Sequence, residues 1–280
     1  MSANVSMRDA LYEAPGPKTR RRVAIGTAIS VALLIAFVAF VIRQFYVNDQ
    51  LNPRYWSFFL RWTTWRFLFK GLFGTIKVAA MAGVLAIIFG LLLMLGRISP
   101  NRPLSAACHV VTDLFRSLPS LLLIYFFFLV IPKYGIRMPS FWMITIPVAL
   151  AASGVLAEVF RAGVNAVPRG QTEAAMSIGM THGKIIRKIV LPQALRIVIP
   201  SLVSQLVVVV KDTTVAYVVS YPDLMQNARV LISNYDALVS MYFVVALIYI
   251  AINYATNQFS IYLAHRQGTQ VISRTSENPL

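Results

Sequence analysis

The chain has 280 residues, of which 58% are hydrophobic and 13% are charged, and its mean hydropathy is +0.67. A soluble domain usually carries about 25% charged residues, so this composition excludes an ordinary soluble enzyme and indicates a membrane protein. The net charge of +16 does not indicate a nucleic-acid binder, because the basic residues separate apolar runs instead of forming one basic face. The single cysteine, Cys108, excludes an intrachain disulfide, and the three histidines lie on separate loops and form no local metal motif.

Six apolar runs are long enough for membrane spans, since a spanning helix needs about 20 predominantly apolar residues. They cover residues 23–42, 71–98, 112–132, 139–160, 197–220 and 237–264. The first run could be mistaken for a signal peptide, but it is long and lacks a convincing small-x-small cleavage site, so we interpret it as an uncleaved span. The predicted fold class is an all-α integral membrane protein with six transmembrane helices.

The distribution of lysine and arginine predicts the orientation of these spans. The segments proposed to be cytoplasmic carry 15 of these residues, and the proposed outer segments carry 8. The positive-inside tendency therefore puts both termini in the cytoplasm. The resulting division is a cytoplasmic N-terminal tail (1–22), a first helix (23–42), an external segment (43–70), a transmembrane core (71–264) with a cytoplasmic loop (161–196), and a cytoplasmic C-terminal tail (265–280).

Segment 43–70 is an exception to the charge pattern, because it carries five basic residues on the proposed outer side. Aromatic residues are interspersed among them, including Trp56, Trp62 and Trp65. This pattern predicts an amphipathic helix lying in the membrane interface, where tryptophan rings and arginines contact the head groups.

A polar, basic loop between the fourth and fifth apolar runs has clear helix start and stop signals. Residues 173–180 are mostly helix formers, and Gly179 is suited to the left-handed conformation that ends a helix. Glu173 would lie in the first turn, and Thr181 would cap a second short helix that ends near Pro192. These signals predict a helix-turn-helix elbow at the membrane surface. The alternative is a solvated basic loop between two spans.

The elbow carries a spaced motif that begins with Glu-Ala-Ala. Three residues separate this triplet from Gly179, nine more lead to Ile189, and Leu-Pro follows after one further residue. The spacing resembles, without insertion or deletion, the signature of permease subunits of ATP-binding-cassette (ABC) importers. The resemblance implies the type I importer permease fold and an elbow that docks into a cleft on a separate ATPase subunit. The motif residues that it assigns to this coupling are Glu173, Ala174, Ala175, Gly179, Leu191 and Pro192.

Three further stretches, 114–119, 157–173 and 191–214, resemble the subfamily that carries histidine, glutamine and glutamate. Two positions differ, because Ser117 and Leu118 stand where the subfamily usually has glycine and threonine. The run 11–18 is similar to glutamate permease subunits of actinobacteria. The resemblance implies an importer of a polar amino acid with glutamate as the expected cargo. Glutamine, arginine and cystine remain open.

Ionisable residues inside spans are candidate functional residues, because their burial in lipid is costly. Arg116 and Glu158 are expected near the cytoplasmic ends of their spans, where they can pair with each other or Glu158 can pair with Arg161. Lys211 and Asp212 diverge by about 100° on a helix, so one can face the translocation path and the other a partner helix. Lys211 could compensate the negative charge of a glutamate cargo. The candidates for the pathway or gate are Arg116, Glu158, Lys211, Asp212 and Thr213.

The sequence holds no Gly-x-x-x-x-Gly-Lys-Ser/Thr phosphate loop, so we expect no enzyme activity, no catalytic residue, and no ATP or metal bound by this chain itself. The resemblance implies as partners an ABC ATPase in two copies that uses the ATP, a second related permease, an extracellular amino-acid-binding protein and membrane lipid, but no nucleic acid. The expected location is the plasma membrane. The alternatives are a secondary transporter driven by an ion gradient, which predicts internal repeats and broken helices, and a membrane-embedded enzyme.

Overall fold

The computed structural model describes residues 16–266, and all regular secondary structure in that range is helical. The predictions for most of both tails, including most of run 11–18, lie outside the described residues. The chain divides into two compact units, Met1–Ser57 and Phe58–Leu280.

Helix α1 (Pro17–Val47) dominates the described part of the first unit. It is longer than predicted because it begins at Pro17, where a proline ring fits the first turn of a helix. None of its residues is buried against protein, and it is apolar enough to cross a membrane. An apolar helix of this kind needs lipid or another protein around it.

Segment 43–70 does not form the single amphipathic helix that the sequence predicted. Residues up to Val47 belong to α1, and residues from Trp62 belong to the next helix. Two short 3-10 helices, Pro53–Tyr55 and Ser57–Leu60, occupy the middle of the segment. The first of them starts where the Asn52 side chain accepts a hydrogen bond from the backbone N–H of Arg54 at 3.0 Å, a common way to begin a turn.

The second unit is a bundle whose centre is formed by three long helices. Its helices are α2 (Trp62–Arg97), α3 (Arg102–Ser117), α4 (Ser120–Tyr125), α5 (Ser140–Ala166), α6 (Arg169–Ser177), α7 (His182–Ile185), α8 (Leu191–Asp212), α9 (Leu224–Tyr235) and α10 (Leu238–Arg266). The most extensive packing joins α2 to α5 and α5 to α8. Small side chains such as Ala82 and Ala86 of α2 are fully buried there, so the helix backbones approach closely.

The third predicted span is not one straight helix. The chain bends by 97° between α3 and the segment Ser120–Tyr134. Leu118 is extended there (φ −85°, ψ 128°), because a following proline disfavours the helical conformation. The predicted span over residues 112–132 is therefore interrupted at Leu118. Among the described residues, five helices are long and apolar enough to cross a membrane, and the bent pair makes a sixth if it counts as one span.

Two π-helical turns allow helices to continue past prolines. They are Phe126–Val130, which precedes Pro132, and Ile186–Val190, which precedes Pro192. Proline lacks the N–H that an α-helix needs and crowds the carbonyl four residues earlier, and a wider turn relieves both problems. The prediction that the second elbow helix ends near Pro192 was therefore wrong, because the helix runs on into α8.

Helix α9 is an element to which the sequence analysis assigned no structure. It lies between the fifth and sixth spans and packs on α2. The backbone N–H of Leu224 donates to Thr75 Oγ1 at 3.1 Å, and Asn227 Nδ2 donates to the carbonyl of Phe67 at 2.7 Å. The signal in the sequence was Asp223, whose side chain accepts from the N–H of Gln226 and caps the helix.

Candidate functional site: a coupling elbow and a charged cavity

The predicted elbow is present, and its turn is built around Gly179. This residue has φ +77°, the left-handed region that favours glycine. The N–H of Gly179 donates to the carbonyl of Met176 at 2.9 Å, and the N–H of Met180 donates to the carbonyl of Ala175 at 3.1 Å. This pair of hydrogen bonds is the Schellman arrangement, which satisfies the last carbonyls of α6 and sets the angle between the two elbow helices.

The two arms of the elbow share one small core with the start of α8. It consists of the buried residues Val167, Ala175, Ile185, Val190 and Ala194. Because α7 continues through the π turn into α8, the elbow and the fifth span form a continuous helical element. The elbow is therefore joined to a helix of the central bundle without an intervening loop.

The outer surface of the elbow is apolar at its tip. Met176 and Ile178 are 56% and 77% exposed, although they are large hydrophobic residues. Both side chains are therefore available for contact with another protein. The motif residues Glu173 and Ala174 are also exposed, whereas Ala175 holds the two arms together.

Two details of the predicted elbow were wrong. Helix α6 begins at Arg169, so Glu173 lies in its second turn and not in its first. Thr181 stands at the start of α7, but its side chain makes no capping hydrogen bond. Leu191 and Pro192 form the first turn of α8, directly after the π turn. The coupling roles of these motif residues stay predictions.

Glu158 is the centre of a cluster of arginines. Its carboxylate lies 2.6 Å from Arg97 and 3.1 Å from Arg161, and 3.7 Å from Arg116. The expected pairing with Arg161 is confirmed, while Arg116 lies within ion-pair distance but beyond a hydrogen bond. The sequence analysis missed the shortest contact, with Arg97 at the end of α2, because it joins residues 61 positions apart.

A small cavity of about 140 Å³ lies among α3, α5 and α8, with the residues of the bend at its edge. Most of its lining is apolar, and its polar residues are Arg116, Ser120, Gln205 and Asp212. The Ser120 side chain lies beside the Asp212 carboxylate. Arg116 and Asp212 thus line one cavity whose walls are otherwise mostly apolar.

The two remaining candidates of the fifth span do not line this cavity. Lys211 is exposed, which fits the expectation that adjacent residues of the helix face different directions. Thr213 is fully buried, and its hydroxyl donates to the carbonyl of Val210 at 2.8 Å. The structure therefore brings Arg116 and Asp212 together and leaves Lys211 and Thr213 apart from them.

Asp223, at the start of α9, is a buried carboxyl group that the sequence analysis did not select. Its Oδ1 accepts from Gln226, while Oδ2 has no hydrogen-bond partner in the part of the chain that the structure describes. Burial raises its pKa from the ordinary 3.8 to about 6. The effect of burial is larger than the opposing effect of the backbone hydrogen bonds, which lower the pKa. Residues 16–266 contain no group of three His, Cys, Asp or Glu side chains that could hold a metal ion.

The chain belongs to the family described as binding-protein-dependent transport system inner membrane component, which matches residues 85–268. It is thus a multi-pass plasma-membrane component of a transport system. It is 32% identical to the glutamate transport system permease protein GluD of Corynebacterium glutamicum, over 83% of this chain and 88% of that protein. It is 34% identical to the probable glutamine ABC transporter permease protein GlnP of Bacillus subtilis, over 72% of this chain and 94% of that protein.

Solved structures show the same fold. An amino acid ABC transporter crystallised with histidines gives a TM-score of 0.68 at 26% identity, covering 72% of this chain and 94% of that one. The MetNI methionine ABC transporter, in inward-facing conformations, gives a TM-score of 0.62 at 19% identity, covering 74% of this chain and 99% of that one. The predicted all-α fold of an importer permease is confirmed.

Proposed function

We propose that this chain is the permease subunit of an ATP-driven importer for a polar amino acid, and that its cargo is glutamate. The observation that carries the proposal is the elbow, whose arms are fused to the fifth span and whose tip exposes Met176 and Ile178. An elbow of this form can take up a movement from outside the membrane and pass it to the bundle. A separate ATPase pair, a second permease and an external binding protein complete the assembly.

The relatives support the class of cargo. GluD of Corynebacterium glutamicum is described as a glutamate permease, and GltK of Escherichia coli, 29% identical over 71% of this chain, as a glutamate/aspartate import permease. Other relatives are described as glutamine, arginine and L-cystine permeases. A polar amino acid is common to all of them, and glutamate is our choice among these cargoes.

The cavity between α3, α5 and α8 suits the charged ends of an amino acid. Arg116 lies 3.9 Å from Asp113 and 3.7 Å from Glu158, too far for hydrogen bonds, so its N–H groups stay available to a ligand carboxylate. Asp212 on the opposite wall can accept hydrogen bonds from a ligand ammonium. We therefore assign the contact with the cargo carboxylate to Arg116 instead of Lys211, which lies outside the cavity.

The test is uptake of labelled amino acids by the complete importer in proteoliposomes. Glutamate should be taken up with ATP and should be competed more strongly by itself than by glutamine, arginine or cystine. Arg116→Gln should raise the KM for glutamate about tenfold, because a charge-assisted hydrogen bond contributes about 1.5–3 kcal/mol. Lys211→Gln is the matched control and should change the KM less than about twofold, with a normal yield of the complex in both variants.

Three results would contradict parts of this assignment. Equal loss of uptake in both variants rejects the cavity as the cargo site. If the importer transports another amino acid and glutamate does not compete with it, the proposal that the cargo is glutamate is rejected. Uptake that needs an ion gradient and no ATP rejects the importer and favours a secondary transporter.

A further inference from the structure

A second, larger cavity of about 490 Å³ lies on the side of the bundle that carries the elbow. It is formed by the end of α2, the turn that follows it, the first turns of α3 and the last turns of α5. Its lining residues are Arg97, Ile98, Ser99, Arg102, Ser105, Ala106, His109, Arg161 and Asn165. Ile98 and Ser99 also line the neighbouring cavity with His182 and Arg187 of the elbow, so this basic cleft and the elbow face the same side.

The basic cleft has more positive than negative charge. Three arginines line it and no carboxylate does. Behind it, Glu158 and Asp113 contact three guanidinium groups, those of Arg97, Arg161 and Arg116. Arg102 itself forms no ion pair with any residue of the range 16–266 and is exposed. One guanidinium group of the basic cleft is thus left without a carboxylate partner, and an anion would complete the arrangement.

The chemistry of the lining favours a phosphate group. Guanidinium groups bind phosphate oxygens through paired N–H donors, and three arginines line this cleft. Ser99 and Asn165 add neutral polar groups at the wall. The volume of the basic cleft is within the range of sites that hold a small molecule or a headgroup.

The position of the basic cleft favours a lipid as the source of that phosphate. Arg97 is the last residue of the second span, and Arg161 lies five residues before the end of α5, so the cleft lies where apolar helices end. On α3, the cleft residues Arg102, Ser105 and His109 lie on one face, because they are three and four positions apart. Leu104, Val110 and Leu114 are exposed on the opposite face, at 47%, 66% and 52%.

A helix with one polar, basic face and one apolar face can lie at a membrane surface with its apolar face among the acyl chains. We propose that the basic cleft binds the phosphate of an anionic phospholipid headgroup from the leaflet on the elbow side of the membrane. Basic pockets between transmembrane helices recognise anionic headgroups by this chemistry. Because the cleft shares the turn at Ile98 with the elbow, a bound lipid would also fix the position of that turn against the coupling element.

Native mass spectrometry of the purified full chain, titrated with phosphatidylglycerol or phosphatidylcholine, tests the proposal. Arg102→Gln removes the guanidinium that no carboxylate holds, so it leaves the network of Glu158 intact. This substitution should weaken the binding of phosphatidylglycerol about fivefold, because one cation at an anionic membrane surface contributes about 1 kcal/mol. It should change the binding of phosphatidylcholine little. Arg169→Gln is the control, because it removes an exposed arginine at the start of α6, outside the basic cleft. It should change the binding of neither lipid.

Equal thermal midpoints of the two variants show that both are folded. Unchanged affinity for phosphatidylglycerol in Arg102→Gln, or an equal loss in Arg169→Gln, would overturn the proposal. An arm with millimolar inorganic phosphate separates the two sources of the anion. If free phosphate occupies the cleft while the two lipids bind equally well, the site belongs to a soluble anion and the lipid proposal fails.

Discussion

At the scale of single residues, the charges of this chain fall into groups with different surroundings. Glu158 is held by short contacts to Arg97 and Arg161, which leaves a compact, nearly fixed network at the ends of α2 and α5. Arg116 borders the same network but hydrogen-bonds neither nearby carboxylate. A cation that is positioned by its neighbours and still has free donors is suited to bind and release an anionic group.

Asp223 predicts a pH dependence of stability. Its pKa of about 6 in the folded protein lies above the ordinary 3.8, so the folded state binds the proton more tightly than the unfolded state. The stabilisation is fully present below about pH 4 and is lost as the pH rises through 6. At pH 8 the buried charge therefore costs about 3 kcal/mol relative to a neutral group.

Asp223→Asn keeps an oxygen that can cap α9 and removes the charge. We expect this variant to be more stable than the wild type at pH 8 and equally stable at pH 4, as measured by thermal unfolding in detergent. Asp49→Asn is the control, because Asp49 is exposed. It should shift the thermal midpoint only slightly, and by the same amount at pH 4 and pH 8. If the wild type were more stable than Asp223→Asn at pH 8, the carboxylate of Asp223 would have a stabilising partner.

At the scale of elements, the bend between α3 and α4 is held by a close contact with α5. A Cβ atom at Gly154 would lie 2.7 Å from the backbone nitrogen of Arg116 and 2.9 Å from the carbonyl oxygen of Thr112. Backbone atoms of the bend cannot move aside as a flexible side chain would. The glycine therefore fixes the position of the residue that we assign to the cargo carboxylate.

Gly154→Ala should lower the stability by about 1–3 kcal/mol through overpacking, in spite of the better helix propensity of alanine. It should also raise the KM for cargo, since Arg116 must shift. Gly26→Ala is the matched control, because the position is also within a helix. Apart from the nearby backbone of that helix, no described residue has an atom within 4 Å of the added Cβ. A Gly154→Ala protein with wild-type midpoint and KM would mean that the bend adjusts freely.

The elements differ in how well the sequence predicted them. The turn of the elbow was predictable because a fixed spacing and Gly179 specify it locally. The break at Leu118 had a local signal, the following Pro119, which the long apolar run concealed. The contact of Arg97 with Glu158 and the packing of α9 on α2 depend on which helices become neighbours, and a single sequence does not state this.

At the scale of the whole molecule, the distribution of charges and the order of the helices predict which ends are cytoplasmic. The elbow, with its basic residues, should face the cytoplasm, and the start of α5 and the end of α9 should face outward. In a protein with Cys108→Ala, a membrane-impermeant thiol reagent should label Ser140→Cys and Ser233→Cys in intact cells. It should reach Ser177→Cys only after the cells are opened. Labelling of residue 177 in sealed cells would invert the proposed orientation.

The central claim is that movement of the elbow couples ATP hydrolysis on a partner to transport through this chain. Gly179 and Gly135 provide a matched pair for its test, since both have φ near +80° (77° and 81°). Apart from their chain neighbours, no atom of residues 16–266 lies within 4 Å of a Cβ added at either position. The backbone cost of an L-residue, about 1–2 kcal/mol, is then similar at both sites. Gly135 lies in the turn before α5, outside the elbow.

The decisive measurement is ATP-driven glutamate uptake by the complete importer in proteoliposomes carrying Gly179→Asp or Gly135→Asp. Aspartate in the elbow turn adds bulk and charge where the ATPase is expected to dock, whereas in the other turn it adds only the backbone cost. We predict that Gly179→Asp abolishes uptake and weakens binding of the ATPase while membrane insertion stays normal, and that Gly135→Asp transports at close to the wild-type rate. Wild-type uptake by Gly179→Asp would contradict the coupling role of the elbow.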